Sequence, residues 1–324
     1  MRPLAIVMIV CFVAVVVAFR IKVEIEKAHE QALIHSVIRW RIEYKPRPES
    51  VPGARYAIAT IMSWKSHELA AMTLCWSLKR AQLEGVELVV IAAERDGNEP
   101  PDPAVLARCF DRVLQRASVL PRAKQRRATI PNAVGSLDVL RLFELDEYRR
   151  IVFLETDVVA VRPSAIVELV KTPLRFAAVQ STISDGLWQG GVAAFEPNPQ
   201  VLGFFLEVLQ ERLDTEPNFD SEKAFSERFR HEEDGVLVLP QEFNIEPIYV
   251  SHASHMDAPV AMHYSLRKPW VSKCKGSATY WHKLAREAAL AFDLPEQQAP
   301  SLRARVEDWM KGWAHSCGEW VEAP

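Results

Sequence analysis

The sequence predicts an α/β domain built on a mostly parallel sheet and set behind an N-terminal apolar segment. Three observations predict it. Apolar runs rich in β-branched residues alternate with stretches that carry apolar residues at helical spacing. Two acids, Glu155 and Asp157, follow directly on the strand-like run 151–154, and sixteen uncharged residues, 4–19, precede the whole.

From Arg55 onward each element has its own signal. "RYAIATIM" (55–62) is a short β-rich run, and "SHELAAMTLCWSLKRAQ" (66–82) spaces its apolar residues as a helix does. "VELVVIAAE" (86–94) is a buried strand, "GSLDVLRLFELDEY" (135–148) is helical, and "RRIVFLE" (149–155) is a strand again. Strand, helix, strand, helix, strand implies right-handed crossovers between parallel strands. "RFAAVQ" (175–180) adds a strand, and "LWQGGVAAFEPNPQVLGFFLEVLQERL" (187–213) gives a Gly-Gly pair, a strand and a helix entered through Pro199.

The run "LAIVMIVCFVAVVVAF" (4–19) lies between Arg2 and Arg20. It is slightly short for a full span and long for a signal-peptide core. Cleavage after Ala18 is one outcome. The absence of Ala-x-Ala favours an uncleaved signal anchor, with residues 1–3 as a cytoplasmic tail, 4–19 as a transmembrane helix and 20–54 as a helical stem. A domain over 55–285 and a helical extension over 286–324 complete the expected organisation. Localisation then follows as the Golgi or another secretory-pathway membrane, in a single-pass type II orientation with the domain in the lumen.

The remaining composition narrows the class. A chain of 324 residues with 49% hydrophobic and 25% charged residues is ordinary for a globular protein. The net charge of −3 gives no reason to expect nucleic acid as a partner, and the basic run "RAKQRR" (122–127) has no interleaved aromatics. It is expected to be a solvated or phosphate-facing loop. Cys11 lies in the apolar run, which leaves Cys75, Cys109, Cys274 and Cys317; they could form one or two bridges, and their spacing matches no zinc site. Cys75, within a helical pattern, is expected to be a buried thiol.

Ligands of parallel sheets sit outside the carboxyl ends of the strands, which is where Glu155 and Asp157 fall. Two carboxylates with one residue between them suit a hard divalent cation together with a diphosphate. The alternative is that Asp157 merely caps a turn before a helix opened by Pro163.

Further along come "WQGG" (188–191), "EEDGVLVLPQEFN" (232–244) and "HYSLRKPW" (263–270). With the strand-end acids these motifs resemble, in the same order, those of the glycogenin-like glycosyltransferases of family 8. The resemblance covers roughly 55–270. It implies a GT-A-type, Rossmann-like mixed sheet flanked by helices, and a metal-dependent, retaining transfer of a sugar from a UDP-sugar to a glycan, glycoprotein or glycolipid acceptor. It assigns Glu155, Asp157 and His263 to the metal, manganese with magnesium as the alternative, and Lys268 to the donor diphosphate. Thr60 is placed near the base, Arg141 near the nucleotide, and Gly190 and Gly191 close to the sugar. Gln189, Glu233 and Asp234 fall where the family has its reacting-sugar residues. The chain departs from the family pattern in having Glu155 for the first Asp, Gln189 for Asn, Val139 for a helix lysine, and a closing motif one residue shorter and without its Gly. A membrane-tethered binding protein of the same fold, without turnover, is the alternative function. His252 and His255 receive no role, and Trp270, Trp281, Trp309, Trp313 and Trp320 are expected to be packing groups.

Overall fold

The computed structural model describes residues 55–95, 99–120, 136–181, 186–213, 215–216, 219–229, 235–246, 259–265, 269 and 278–292, all within one compact unit, Ser50–Pro324. The expected anchor and stem, the basic run 122–127 and nearly all of the C-terminal extension lie outside these residues. Among the described residues no helix is long and apolar enough to cross a membrane.

The apolar runs form strands and the periodic stretches form helices. In chain order they are β1 (Arg55–Met62), a 3-10 turn (Lys65–His67), α1 (Glu68–Leu78), β2 (Val86–Glu94), α2 (Pro103–Leu106), β3 (Arg112–Ala117), a 3-10 helix (Leu137–Glu144) and β4 (Tyr148–Leu154). Then come β5 (Val158–Ala160), α3 (Pro163–Lys171), β6 (Phe176–Gln180), β7 (Trp188–Phe195), α4 (Pro199–Arg212) and α5 (Ser221–Arg228). β8 (Val236–Leu239), a 3-10 turn (Gln241–Phe243), β9 (Ala261–His263) and α6 (Ala278–Ala291) follow. Proline stands at the first turn of α2, α3 and α4, where its missing N–H costs no hydrogen bond.

Seven strands make one mixed sheet in the order β3-β2-β1-β4-β7-β6-β8. β1 runs parallel to β2 and β4, and β2 parallel to β3, so the carboxyl ends of four neighbouring strands face the same way. β7 is antiparallel to both β4 and β6. β5 and β9 form a separate antiparallel pair, Val158 opposite His263. Alternation along the strands gives the sheet two apolar faces. Ile58, Leu88, Val90, Val152 and Leu154 pack with α1 and α3. On the other face Phe143, Phe176, Phe195, Phe205 and Phe225 pack ring on ring beneath the 3-10 helix 137–144, α4 and α5.

Two features depart from the sequence reading. β3 carries no apolar run: it is an edge strand whose residues are at most half-buried, so composition did not mark it. Cys75 is no free thiol but is bonded to Cys109, 34 positions away. The inner face of α1 lies over the segment leading from α2 to β3, which brings the two Cα atoms to 6.2 Å, a separation that sequence spacing does not reveal. Trp281 is fully buried with Met262, Tyr264, Leu284 and Ala285, as a packing group should be. α6 spans Ala278–Ala291 and so carries the described part of the expected C-terminal extension.

Candidate functional site

The site begins at the carboxyl end of β4. Beyond Leu154 the backbone turns, Val158 N–H donating to the Glu155 carbonyl at 3.0 Å, and continues as β5. This turn presents Glu155 and Asp157 together. Asp157 caps no helix: α3 starts from Arg162 with Pro163 at its first turn. β9 then lies along β5, and the ladder is continued by Tyr264 N–H donating to the Asp157 carbonyl at 3.0 Å. His263 is thereby brought to the acids from more than a hundred residues away. Its Nε2 stands 3.0 Å from Glu155 Oε2 and 3.6 Å from Asp157 Oδ1.

The three side chains each offer one atom, and these atoms all lie within 4.8 Å of one another. Asp157 and His263 are buried, at 3% and 6% exposure, while Glu155 is half-buried. Two carboxylate oxygens and an imidazole nitrogen make a donor set that fits a divalent cation of the manganese or magnesium kind.

β7 forms the opposite wall. The Gly191 carbonyl accepts from Glu155 N–H at 3.0 Å, so the Gly-Gly pair faces the acids across the ladder. Gly191 is required by close approach. A Cβ there would meet His263 Nδ1 at 2.2 Å and Asn244 Oδ1 at 2.7 Å. Gln189, next in line, accepts from Asn244 Nδ2 at 3.0 Å. Gly190 N–H donates to Glu222 Oε1 at 2.8 Å.

Glu222 is a site residue that the sequence reading missed. It sits in the first turn of α5, behind Asp220, whose side chain caps the helix by accepting from Lys223 N–H. Burial pushes its carboxyl up to about 7; Glu155 and Asp220 add to the rise, and the Gly190 hydrogen bond and His263 oppose it. The available signal was an acid two residues after a helix-capping Asp. Asn244, the last residue of "EEDGVLVLPQEFN", is a second such residue.

The other assigned residues are placed as follows. Thr60 is buried in β1, two residues short of the strand end, and its hydroxyl has no hydrogen-bond partner among the described residues. Arg141 donates to the Ala117 and Ser118 carbonyls at the end of β3 and pairs with Glu144. Lys268, Glu233 and Asp234 lie outside the described residues, as do His252, His255 and Trp270. Beside Val139 stands a group the sequence did not single out: Asp138, fully buried, ties together the ends of three parallel strands. It accepts from Ser63 after β1, from Arg95 after β2 at 2.8 Å, and from Ser118 and the Val119 N–H after β3.

Solved structures share this architecture. The galactosyltransferase LgtC, in complex with donor and acceptor sugar analogues, matches at TM-score 0.57 and 14% identity over 77% of this chain and 99% of that chain. The chain has a GT-A-type glycosyltransferase fold. The bifunctional glycosyltransferase WbbM matches at TM-score 0.55 and 15% identity over 82% of this chain and 52% of that chain, so this protein spans about half of WbbM. The glycosyltransferase GlyE of Streptococcus pneumoniae TIGR4 matches at TM-score 0.50 and 12% identity, over 80% of this chain and 64% of that chain. No protein-family model matches the sequence, and no curated protein matches it.

Proposed function

We propose that this protein is a metal-dependent glycosyltransferase of the family 8 kind that moves a sugar from a UDP-sugar to a glycan, glycoprotein or glycolipid acceptor, with retention at the anomeric carbon. The observation that carries the proposal is the meeting of Glu155, Asp157 and His263 at the carboxyl end of β4 in a fold shared with glycosyltransferases. A divalent cation bound there supplies positive charge against the departing diphosphate.

The chain's own groups do the rest. Glu155 and Asp157 bring two carboxylates to one turn, where with His263 they would hold the cation. His263 offers a lone pair at Nε2 only when that nitrogen is unprotonated. The glycines of β7 leave room for the site's own side chains, Gly191 for His263 and Asn244 and Gly190 for Glu222 and Glu155, and Gln189 keeps the role at the sugar that the family resemblance gives it. Lys268, Glu233 and Asp234 keep the roles that the family resemblance gives them at the diphosphate and the reacting sugar.

Anchoring in a Golgi or other secretory-pathway membrane, with the domain in the lumen, is part of the same proposal. The apolar run 4–19 supports it, and so does the Cys75–Cys109 bridge, a bond that persists in oxidising compartments.

The deciding experiment offers UDP-glucose, UDP-galactose, UDP-N-acetylglucosamine, UDP-xylose and UDP-glucuronic acid with manganese and an acceptor mixture, and measures UDP release. One donor should turn over only with the metal. Asp157→Asn and His263→Ala should each lose at least about 100-fold in rate while keeping the fold. Metal-dependent UDP-sugar binding without release of UDP would make the protein a binding module instead.

A further inference from the structure

β9 has two faces, and only one of them belongs to the site. His263 turns toward Glu155 and Asp157, while Met262 and Tyr264 on either side of it point the other way, as alternation along a strand requires. That second face is covered by α6: Trp281, Leu284 and Ala285 pack with Met262, Tyr264 and, from β5, Val159. The Tyr264 hydroxyl is hydrogen-bonded to the Trp281 backbone, and the Tyr264 N–H donates to the Asp157 carbonyl at 3.0 Å. One buried residue thus touches both α6 and a member of the acid pair. α6 is itself held on α1. The Trp76 indole N–H donates to Glu287 at 3.3 Å, Arg80 donates to the Tyr280 hydroxyl at 2.9 Å, and Trp76 meets the Phe292 ring edge-on at 5.7 Å. α1 in turn holds β5, its Ser77 hydroxyl accepting from Ala160 N–H at 3.1 Å. The ladder between β5 and β9 has only three residues on each side, and a pair that short is not rigid by itself.

We infer that α6 is the clamp that sets the position of His263, with Trp281 and Tyr264 as its positioning residues. The members of the group are fixed by different things. Glu155 and Asp157 follow directly on β4, which is paired on both sides within the seven-stranded sheet, so the sheet places them. His263 belongs to a strand outside that sheet. Backbone bonds to β5 and to Ile245 lie in the plane of the ladder and fix the register of β9. Its depth toward the acids, perpendicular to that plane, is set by what packs behind it, and that is Trp281 against Met262 and Tyr264. A small retreat of β9 acts directly on the separations of 3.0 and 3.6 Å between His263 Nε2 and the two carboxylates. The chain beyond the closing motif therefore belongs to the functional unit, although Trp281 lies on the far side of β9 from the acids. Where the inference concerns a cation, it rests on the proposed metal-dependent reading.

Trp281→Ala opens a cavity behind Tyr264, Trp281→Phe keeps an aromatic ring there, and Tyr264→Phe removes only the hydroxyl. Phe205→Ala, in the ring cluster on the other face of the sheet, is the control, because it costs stability away from β9. Thermal melting fixes a temperature at which the variants are folded. Manganese affinity is then measured without nucleotide by spin-resonance titration. The His263 ring resonance is followed in chelator-treated protein, identified by its loss in His263→Gln. Trp281→Ala should weaken manganese binding by about 10- to 100-fold and move or broaden the His263 resonance, and Trp281→Phe should bring both back toward the parent. Tyr264→Phe should weaken binding by about two- to tenfold and move the resonance in the same direction. Phe205→Ala should leave both at parental values despite its lower melting temperature. Parental affinity with an unmoved resonance in folded Trp281→Ala overturns the inference. An equal loss in Phe205→Ala also overturns it, because the effect would then be one of general stability. If Trp281→Ala does not fold, Tyr264→Phe decides on the same two measurements, and parental values there overturn the clamp. A parent that binds no manganese refutes the cation reading alone, and the His263 resonance still decides the clamp.

Discussion

At the scale of single residues, two glycines should behave in opposite ways. Gly191→Ala places a methyl group 2.2 Å from His263 Nδ1, on backbone whose carbonyl accepts from Glu155 N–H at 3.0 Å. The ring must move, so manganese affinity should fall by at least about tenfold, with a loss of stability of about 1–3 kcal/mol from overpacking. Gly203, inside α4, has nothing within 4 Å of its Cβ position, and Gly203→Ala should stabilise by about 0.5–1 kcal/mol with binding unchanged. Metal titration and thermal melting of both variants check the pair. Glu222 gives a pH signature. Burial raises its carboxyl from 4.5 to about 7, so the folded protein holds a proton that the unfolded chain releases in that interval. The resulting stability is fully present below about pH 4.5 and is lost as pH rises through 7. In chelator-treated protein, Glu222→Gln should flatten that decline by an amount on the order of 2 kcal/mol. Parallel stability curves for the parent and the variant between pH 5 and 8 would mean that Glu222 does not carry the shift.

At the scale of elements, the carboxyl ends of β1, β2 and β3 depend on one buried carboxylate. Asp138 and Arg95 are paired at 2.8 Å, with side chains 0% and 5% exposed, and the guanidinium also lies over the Trp64 ring. Removing one charge from a buried, hydrogen-bonded pair leaves the other without compensation. Asp138→Asn should therefore cost about 3 kcal/mol, a fall in Tm of roughly 6–12 °C. The Lys65–Glu99 pair serves as the contrast, because Glu99 is largely exposed and Glu99→Gln should shift stability by no more than about 0.5 kcal/mol. Equal effects of the two substitutions would show that Asp138 is not the tie between these strands. The short pair β5 and β9 does for the Glu155–Asp157–His263 group what Asp138 does for the strand ends. Three residues on each side, with Val158 opposite His263, fix the distance between the two halves of the ligand set.

At the scale of the whole molecule, the Cys75–Cys109 bridge closes a separation of 34 residues between α1 and the segment before β3. Cross-linking a loop of that length should contribute about 3–4 kcal/mol through the unfolded chain. Reduction should therefore lower Tm measurably while the protein still binds manganese, because the bridge is not among the groups at the carboxyl end of β4. Mass measurement of the protein from an oxidising compartment should find the bridge intact, and the same spectrum reads the terminus. A chain starting at Met1 or Arg2 accords with a retained anchor; a start near Phe19 would overturn the anchor and leave a secreted enzyme.

The sequence alone determined the strands β1, β2, β4, β6 and β7, the helices α1, α3 and α4, and the position of Glu155 and Asp157 at a strand end. Each of these is a local matter: apolar period, a proline at a first turn, or acids that directly follow a buried run. The motif order also named His263, Gln189 and the glycine pair before any contact among them was known. The tertiary structure alone decided how the distant pieces meet. β3 escaped notice because an edge strand needs no apolar run. The Cys75–Cys109 pairing follows from the way a helix lies over a loop. Glu222 and Asn244 became site residues only when α5 and the turn before β9 closed on Gly190 and Gly191. Burial, which raises the Glu222 carboxyl, is a property of the packed surroundings, and no residue carries it in its own name.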